Sequence, residues 1–296
     1  MMNEAWQRSQ YACDVDGIVS VDPVFIQKMV EINGNVTLEN GTVLTSENTA
    51  EYMLNTIYKE VPVSLQDTYF EYIASTIMNK AFSNMDIAKM MKVAQSIGEL
   101  TKNRHFYAYT FHDDEAKYFQ GAGLAKGTPD SETDPEVGIY LNEQNPSKLG
   151  WYIDRKAQIT KTGQNADGSK TYHVTYTLTN TLTSSEMATC TGYILGGEQA
   201  GVTGKPVAAP GTSAQRMLFY APKGGSISEI TSSGDVRDQS NAVMDDQKLV
   251  TNVAYIAPGE SVTFDFDVTT SPKAESDLTI DQTPSGKMTN EVNYQY

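Results

Sequence analysis

Residues 15–25 read Val-Asp-Gly-Ile-Val-Ser-Val-Asp-Pro-Val-Phe, and the order of residue types in this stretch sets the fold class. Val15–Val21 is a short apolar run closed by Asp22-Pro23, the pattern of a buried strand. Asp is among the preferred N-cap residues, and Pro suits the first helical position, where its missing N–H has no partner to lose. The spacing predicts a helix that buries Phe25, Ile26, Met29 and Val30 and stops near Asn33-Gly34. A strand followed by a capped helix is the signature of an α/β layer.

Outward from this unit, Val36-Thr-Leu-Glu-Asn-Gly-Thr-Val-Leu44 predicts a hairpin closed by a two-residue Asn40-Gly41 turn. Ala50, Met53, Leu54, Ile57, Tyr58 and Val61 follow at helical spacing and make one amphipathic stripe before Pro62. A second stripe runs Leu65, Tyr69, Tyr72, Ile73, Ile77, Ala81, behind Ser64 and Asp67 as a weak capping box. A third helix opens at Ser83-Asn84, with Ile87, Met90, Met91, Ala94 and Ile97 expected to face inward. Residues 105–111 read as a second strand, Asp113-Asp-Glu115 start a short helix, and 137–141 read as a further strand.

Beyond Trp151 the period changes to two. Residues 172–179, 215–220 and 262–268 alternate apolar and polar, with turn clusters at 165–168, 222–225 and 258–259 between them. Regular short strands with such punctuation predict a sandwich of two sheets. The expected organisation is an α/β domain at 1–146, a β-sandwich domain at 147–270, and a polar segment at 271–296 that is either a frayed tail or an extra strand.

Length and charge narrow the function. The chain has 296 residues, and 22 Lys and Arg against 37 Asp and Glu give a net charge of −15. A phosphate-backbone binder needs a positive surface, so nucleic acid is not the expected partner, and direct docking on an anionic membrane is disfavoured. No stretch has the ~18 consecutive apolar residues of a membrane span, and the first eight residues lack the apolar core of a signal peptide. The two cysteines, Cys13 and Cys190, are read either as two buried thiols or as one bridge tying the halves together.

Chemistry-bearing residues are few. Asp22 ends the first strand, where α/β sheets gather ligands, and can face a cation; the competing account is the N-cap role. Lys89, Lys92, Lys102, Arg104 and His105 form a modest basic group able to grip a phosphate or an anionic glycopolymer, against the alternative of a solvated helix face. Trp151 and Tyr152, with Tyr140, can stack on sugar rings or simply pack at the domain junction. The acidic run 130–136 fails as a calcium loop, because Pro135 and Leu141 stand where Gly and Glu are needed. The 121–127 glycines and Gly204-Lys205-Pro206 fail as phosphate loops. His105, His112 and His173 are expected to be structural, and no nucleophile elbow or zinc-protease motif is present.

Taken in order, Val15–Val24, Ile32–Asn48, Val137–Asn142, Tyr172–Thr181 and Phe219–Gly224 resemble an uncharacterised surface-protein family of Gram-positive bacteria, mostly actinobacteria. That family is catalogued as domain of unknown function four thousand and twelve. The resemblance covers roughly residues 1–270. It implies an extracellular, envelope-anchored protein in which a membrane helix and the first half of the α/β domain stand upstream of these residues. The Val-Asp-Gly-x-x-x-Val-Asp strand, its helix and the Val-Thr hairpin are also distantly similar to LytR–CpsA–Psr phosphotransferases, which attach glycopolymers to peptidoglycan. The implied fold is a LytR–CpsA–Psr-like α/β domain followed by an immunoglobulin-like sandwich. Those enzymes use clustered arginines and a metal held by aspartates. Here Arg8, Arg104, Arg155, Arg216 and Arg237 are scattered, so no catalytic residue is carried over.

The leading expectation is therefore a non-catalytic scaffold or binding module of the cell envelope, with no cofactor and a cell-wall glycopolymer or other envelope component as partner. Any membrane contact would run through an upstream anchor. The alternatives are a Mg²⁺-dependent phosphotransferase of the LytR–CpsA–Psr kind, with Asp22 or Arg104 in its site, and a glycan-binding adhesin using Trp151 and Tyr152.

Overall fold

The computed structural model describes residues 2–83, 85–196, 207–244, 247–288 and 290–296. The Gly204-Lys205-Pro206 segment and Asn84 lie outside them. The architecture is mixed α+β, with a helical block carrying two small sheets and a second block built from two large sheets.

Helix α1 (Met2–Gln7) precedes strand β1 (Gly17–Val21) and helix α2 (Pro23–Asn33). Asp22 caps α2 as its chemistry dictates. Its Oδ1 accepts from the backbone N–H groups of Val24 and Phe25 at 2.9 and 3.0 Å, and Pro23 takes the first turn. The expected layered α/β sheet is not formed. β1 pairs antiparallel with one partner, β4 (Phe106–Thr110), and the far side of β4 is closed by a loop through Ala108 N–H to the Leu124 carbonyl at 2.9 Å. The helices cover Phe106 and Ala108 on β4, while Val19 and Val21 of β1 are exposed, so the apolar run is not a buried strand.

The hairpin of β2 (Val36–Thr37) and β3 (Val43–Leu44) forms, but its loop has three residues, Glu39–Gly41. Gly41 closes a turn back to the Leu38 carbonyl with φ 85°, a left-handed conformation that a side chain disfavours. The next helical run is interrupted. α3 (Thr49–Glu51) passes through a π-helical turn (Tyr52–Thr56) into α4 (Ile57–Glu60). Ala50, Met53 and Ile57 enter the helical core, while Leu54 and Tyr58 are turned to the side.

α5 (Val63–Ser83) buries Ile73, Ile77 and Ala81 but leaves Leu65 exposed. α6 (Ile87–Lys102) is capped by Asp86, whose carboxylate accepts from Lys89 N–H at 2.8 Å, three residues after the expected opening at Ser83. All of its expected inner stripe except Ile97 faces out. Ile87 is 79% exposed, Met90 59% and Met91 60%, while Ser96 and Leu100 are buried and Val93 and Ile97 pack on the core. α7 (Asp113–Gly121) starts at its acidic triplet as expected, which suits the positive end of a helix.

The sheet block follows. Its strands are β5 (Glu136–Glu143), β6 (Ile153–Gln164), β7 (Lys170–Asn180), β8 (Ser213–Tyr220), β9 (Ser226–Ile227), β10 (Thr231–Ser233), β11 (Asp235–Met244), β12 (Gln247–Ile256), β13 (Ser261–Thr269), β14 (Thr279–Gln282) and β15 (Glu291–Gln295). Two short helices, α8 (Ser184–Thr189) and α9 (Gly192–Leu195), stand between β7 and β8. One sheet runs β11-β12-β8-β5-β14; the other runs β10-β13-β7-β6-β15, with β9 also on β13. Alternation does what the sequence predicts: Tyr172, Val174, Tyr176 and Leu178 of β7 are all fully buried. They share one core with Val137, Ile139, Met217 and Phe219 of the facing sheet, where the Phe219 ring meets Phe264 at 5.1 Å and Phe266 at 5.6 Å.

Two segments sit differently from their place in the chain. β5, read with the first block, pairs with β8 and β14 inside a large sheet. Residues 271–296 supply β14 and β15, which pair parallel with β5 and β6. Asp277 pins this segment, accepting from Lys161 Nζ and the Tyr172 hydroxyl, each at 2.7 Å. Those contacts hold its carboxyl below the usual aspartate value. Glu132, from the rejected calcium loop, accepts from the Ser271 hydroxyl at 2.7 Å. Both cysteines are free thiols: Cys13 is exposed and Cys190 half-buried, so there is neither a bridge nor a pair of buried thiols. Among the described residues, no helix is long and apolar enough to cross a membrane.

Candidate functional site

The blocks meet at a 3₁₀ turn, Leu149–Tyr152, that leads into β6. Leu149 and Tyr152 are buried there with Leu182 and Ile194 in a small core of their own. Tyr152 is only 3% exposed. Its hydroxyl donates to Asn55 Oδ1 on the π-helical turn at 3.0 Å, and the Lys59 ammonium lies 5.6 Å from its ring centre. Burial pushes the Tyr152 hydroxyl pKa up. This side chain packs the junction and offers no face to a sugar, which corrects its place as a stacking residue.

Trp151 takes the other side of the turn. It lines two adjoining cavities of 370 and 340 Å³, which share Gly150, Trp151, Arg155, Ser285 and Gly286. A Cβ at Gly286 would stand 2.9 Å from the Trp151 ring, so only glycine lets the backbone between β14 and β15 lie this close to the indole. The larger cavity adds Asp22, Leu54, Tyr58, Glu143 and Lys148. Two of the four residues expected to bind, Asp22 and Trp151, thus line one cleft at the block junction.

Each charged group in that cleft has a distinct state. Asp22 uses Oδ1 for the helix cap, and Oδ2 lies 2.7 Å from Nδ1 of His105, whose side chain is fully buried. The capping account and the cleft position hold together. Glu143 accepts from the Ser213 hydroxyl, Ala214 N–H, Gln215 Nε2 and Asn145 N–H at 2.6–3.0 Å, so its oxygens are occupied. Lys148 lies over the rings of Tyr58 and Tyr193 at 5.2 and 5.5 Å. Arg155 donates Nη1 to the carbonyls of Thr283 and Pro284 at 2.5 and 3.2 Å, and its Nε is buried without a partner among the described residues.

Arg104 is elsewhere and committed. Its backbone has φ 62°, and its guanidinium is clamped on the buried carboxylate of Asp281 in β14, through Nε at 2.5 Å and through Nη2. It also donates to the Tyr107 hydroxyl at 2.7 Å and to the Gly127 carbonyl at 2.6 Å. Tyr140 belongs to the same clamp, donating to Asp281 at 2.7 Å. Burial alone lowers the pKa of Arg104, but the Asp281 hydrogen bond outweighs it and raises it. Arg104 is a clasp between the blocks, and neither it nor Tyr140 lines the Trp151 cleft. The other histidines pair with carboxylates on the surface, His112 with Asp16 at 3.0 Å and His173 with Asp267 at 2.9 Å.

Sequence reasoning missed Tyr58, Lys148 and Arg155. Tyr58 reaches the cleft beside Leu54, four residues earlier on the same helical face, and nothing in the sequence marks this face as meeting the sheet block. Arg155, four residues after Trp151 on β6, looks in sequence like any outward charge on an alternating strand. Among the described residues no group of three His, Cys, Asp or Glu side chains is placed to hold a metal ion.

Comparison with known proteins adds little. Residues 1–58 match the family described as a protein of unknown function, DUF4012, a stretch that contains Asp22, Leu54 and Tyr58. No curated protein matches the chain. Among solved structures it is similar to a candidate nutrient binding protein of Legionella pneumophila, at 13% identity and a TM-score of 0.23, over 47% of this chain and 44% of that one.

Proposed function

We propose that this chain is a non-catalytic binding module of a Gram-positive cell envelope, outside the cell and held at the membrane by an upstream segment. In this reading the helical block is a LytR–CpsA–Psr-like unit without that activity, and the sheet block is an immunoglobulin-like spacer. The ligand is a cell-wall glycopolymer or another envelope component, and no cofactor takes part. The observation that carries the proposal is the junction cleft, where Trp151 and Tyr58 bring aromatic surface beside Lys148 and Arg155. Concave sites that combine aromatic walls with a few polar groups are where small ligands are held. The match of residues 1–58 supports the family side of the reading.

The test is co-sedimentation of the purified chain with isolated peptidoglycan sacculi that keep their attached polymers. The chain should pellet, and Trp151→Ala should lose about tenfold in affinity while keeping its unfolding temperature within a few degrees, a loss of about 1.4 kcal/mol in binding. Equal pelleting of the variant, or none by the parent chain, contradicts the proposal. If the chain moved a glycopolymer from a lipid carrier to peptidoglycan when given Mg²⁺, the phosphotransferase reading would replace it.

A further inference from the structure

We infer that the Trp151 cleft takes a sugar bearing a single carboxylate, gripped side-on by Arg155; this rests on the reading of the cleft as the ligand site. A guanidinium presents two paired-donor edges. Arg155 spends one donor, Nη1, on the Thr283 and Pro284 carbonyls, which fixes the plane of the group. The edge left over is Nε with Nη2, and Nε is buried with nothing to donate to among the described residues. A buried donor left unmade costs about 1–3 kcal/mol, and more when it is charged. Two parallel N–H groups match the two oxygens of a carboxylate, which makes the contact both strong and directional.

The surroundings choose among anions. Neither Arg155 nor Lys148 makes an ion pair among the described residues, in a chain of net charge −15. Among the described residues no carboxylate is in direct contact with either cation, so both remain able to meet one on a ligand. The cavity also holds Asp22 and Glu143, so a second negative charge on the ligand would meet repulsion. A phosphate monoester carries about −1.5 to −2 at neutral pH and a carboxylate only −1. The body of the ligand faces Trp151 and Tyr58 on its apolar side and the hydroxyl groups of Ser147 and Ser285 on its polar side. An amphipathic ring of a uronic acid meets both. The 370 Å³ volume falls in the range of ~300–1,000 Å³ usual for small-ligand sites.

The test uses a Trp6→Phe chain, leaving Trp151 as the single indole, with binding read by its fluorescence and by calorimetry. The probes are glucuronate, glucose, acetate and glucose 1-phosphate. Glucuronate should bind about tenfold tighter than glucose and tighter than glucose 1-phosphate, and acetate should leave the Trp151 signal unchanged. Arg155→Lys keeps the charge but removes the paired edge, and should erase the preference for glucuronate over glucose. Because Arg155 also holds the 283–284 backbone, Lys148→Met serves as a second variant, cutting glucuronate affinity two- to fivefold with glucose affinity unchanged. Glucuronate binding no tighter than glucose in the parent chain overturns the inference whatever the variants do. So does tighter binding of glucose 1-phosphate. Sacculus binding that depends on Trp151 would stand through either result, so the two proposals fail separately.

Discussion

β7 and α6 each carry a clean apolar pattern, yet one buries all of it and the other turns much of it to solvent. Tyr172, Val174, Tyr176 and Leu178 are fully buried on β7. Ile87, Met90 and Met91 are exposed on α6. A strand has two faces, and the facing sheet decides between them, so period two alone places every side chain. A helix has a continuous circumference, and α6 carries two apolar arcs. At 100° per residue, with Ile87 set at zero, Val93, Ile97 and Leu100 fall at about 220–280° and Met91 at about 40°, while Met90, at about 300°, sits at the edge of the inner arc. The first arc won the core, and the second remains outside. Apolar periodicity in a helix says that a face exists, not which neighbour takes it.

That contrast can be broken by experiment, starting where the blocks are joined. Asp281→Ala removes the carboxylate that compensates Arg104 between the helical block and β14. Losing one partner of a buried pair costs about 3–5 kcal/mol, measured by urea unfolding. A cost under 1 kcal/mol would mean the blocks do not depend on the clamp. Leu178→Ala, inside the sheet core, should cost about 2–5 kcal/mol, which the same titration reads.

A smaller effect belongs to Asp277. Its folded pKa is depressed, chiefly by the Lys161 hydrogen bond and then by Tyr172. Its stabilising contribution is therefore fully present above the ordinary aspartate pKa of about 4 and is lost as the pH falls through the lower folded value. The pair is solvent-screened, so the contribution is about 1 kcal/mol or less. Asp277→Asn should lower stability by up to that amount at neutral pH and converge on the parent chain as the pH falls below about 4, which flattens the acid limb. The smallest effect falls on α6, where Met91→Ser should change stability by no more than about 0.5 kcal/mol. A loss of 2 kcal/mol there would show that the outer arc is buried in solution.

What could be read from sequence was local. The Asp22 cap, the Pro23 start and the strands at 170–180, 213–220 and 261–269 all follow from chemistry within a few residues. What was hidden needed distant partners. Arg104 meets Asp281 across 177 positions, and nothing near Arg104 marks it as a clasp rather than a ligand group. Tyr152 and Trp151 are neighbours with opposite fates, because a 3₁₀ turn points one inward and the other into the cleft. Half of the expected binding set, Asp22 and Trp151, shares a cavity. Arg155 joined it only once β6 and the 283–286 backbone were in place.

The two regions also offer rival contact surfaces: the Trp151 cleft at the junction and the outer arc of α6. Hydroxyl-radical footprinting separates them directly, since Trp and Met side chains are both oxidised where solvent reaches them. With polymer-bearing sacculi added, oxidation of Trp151 should fall while Met90 and Met91 stay as reactive as in the free chain. Protection of Met90 and Met91 with Trp151 unchanged would contradict the account and move the binding surface to the helix.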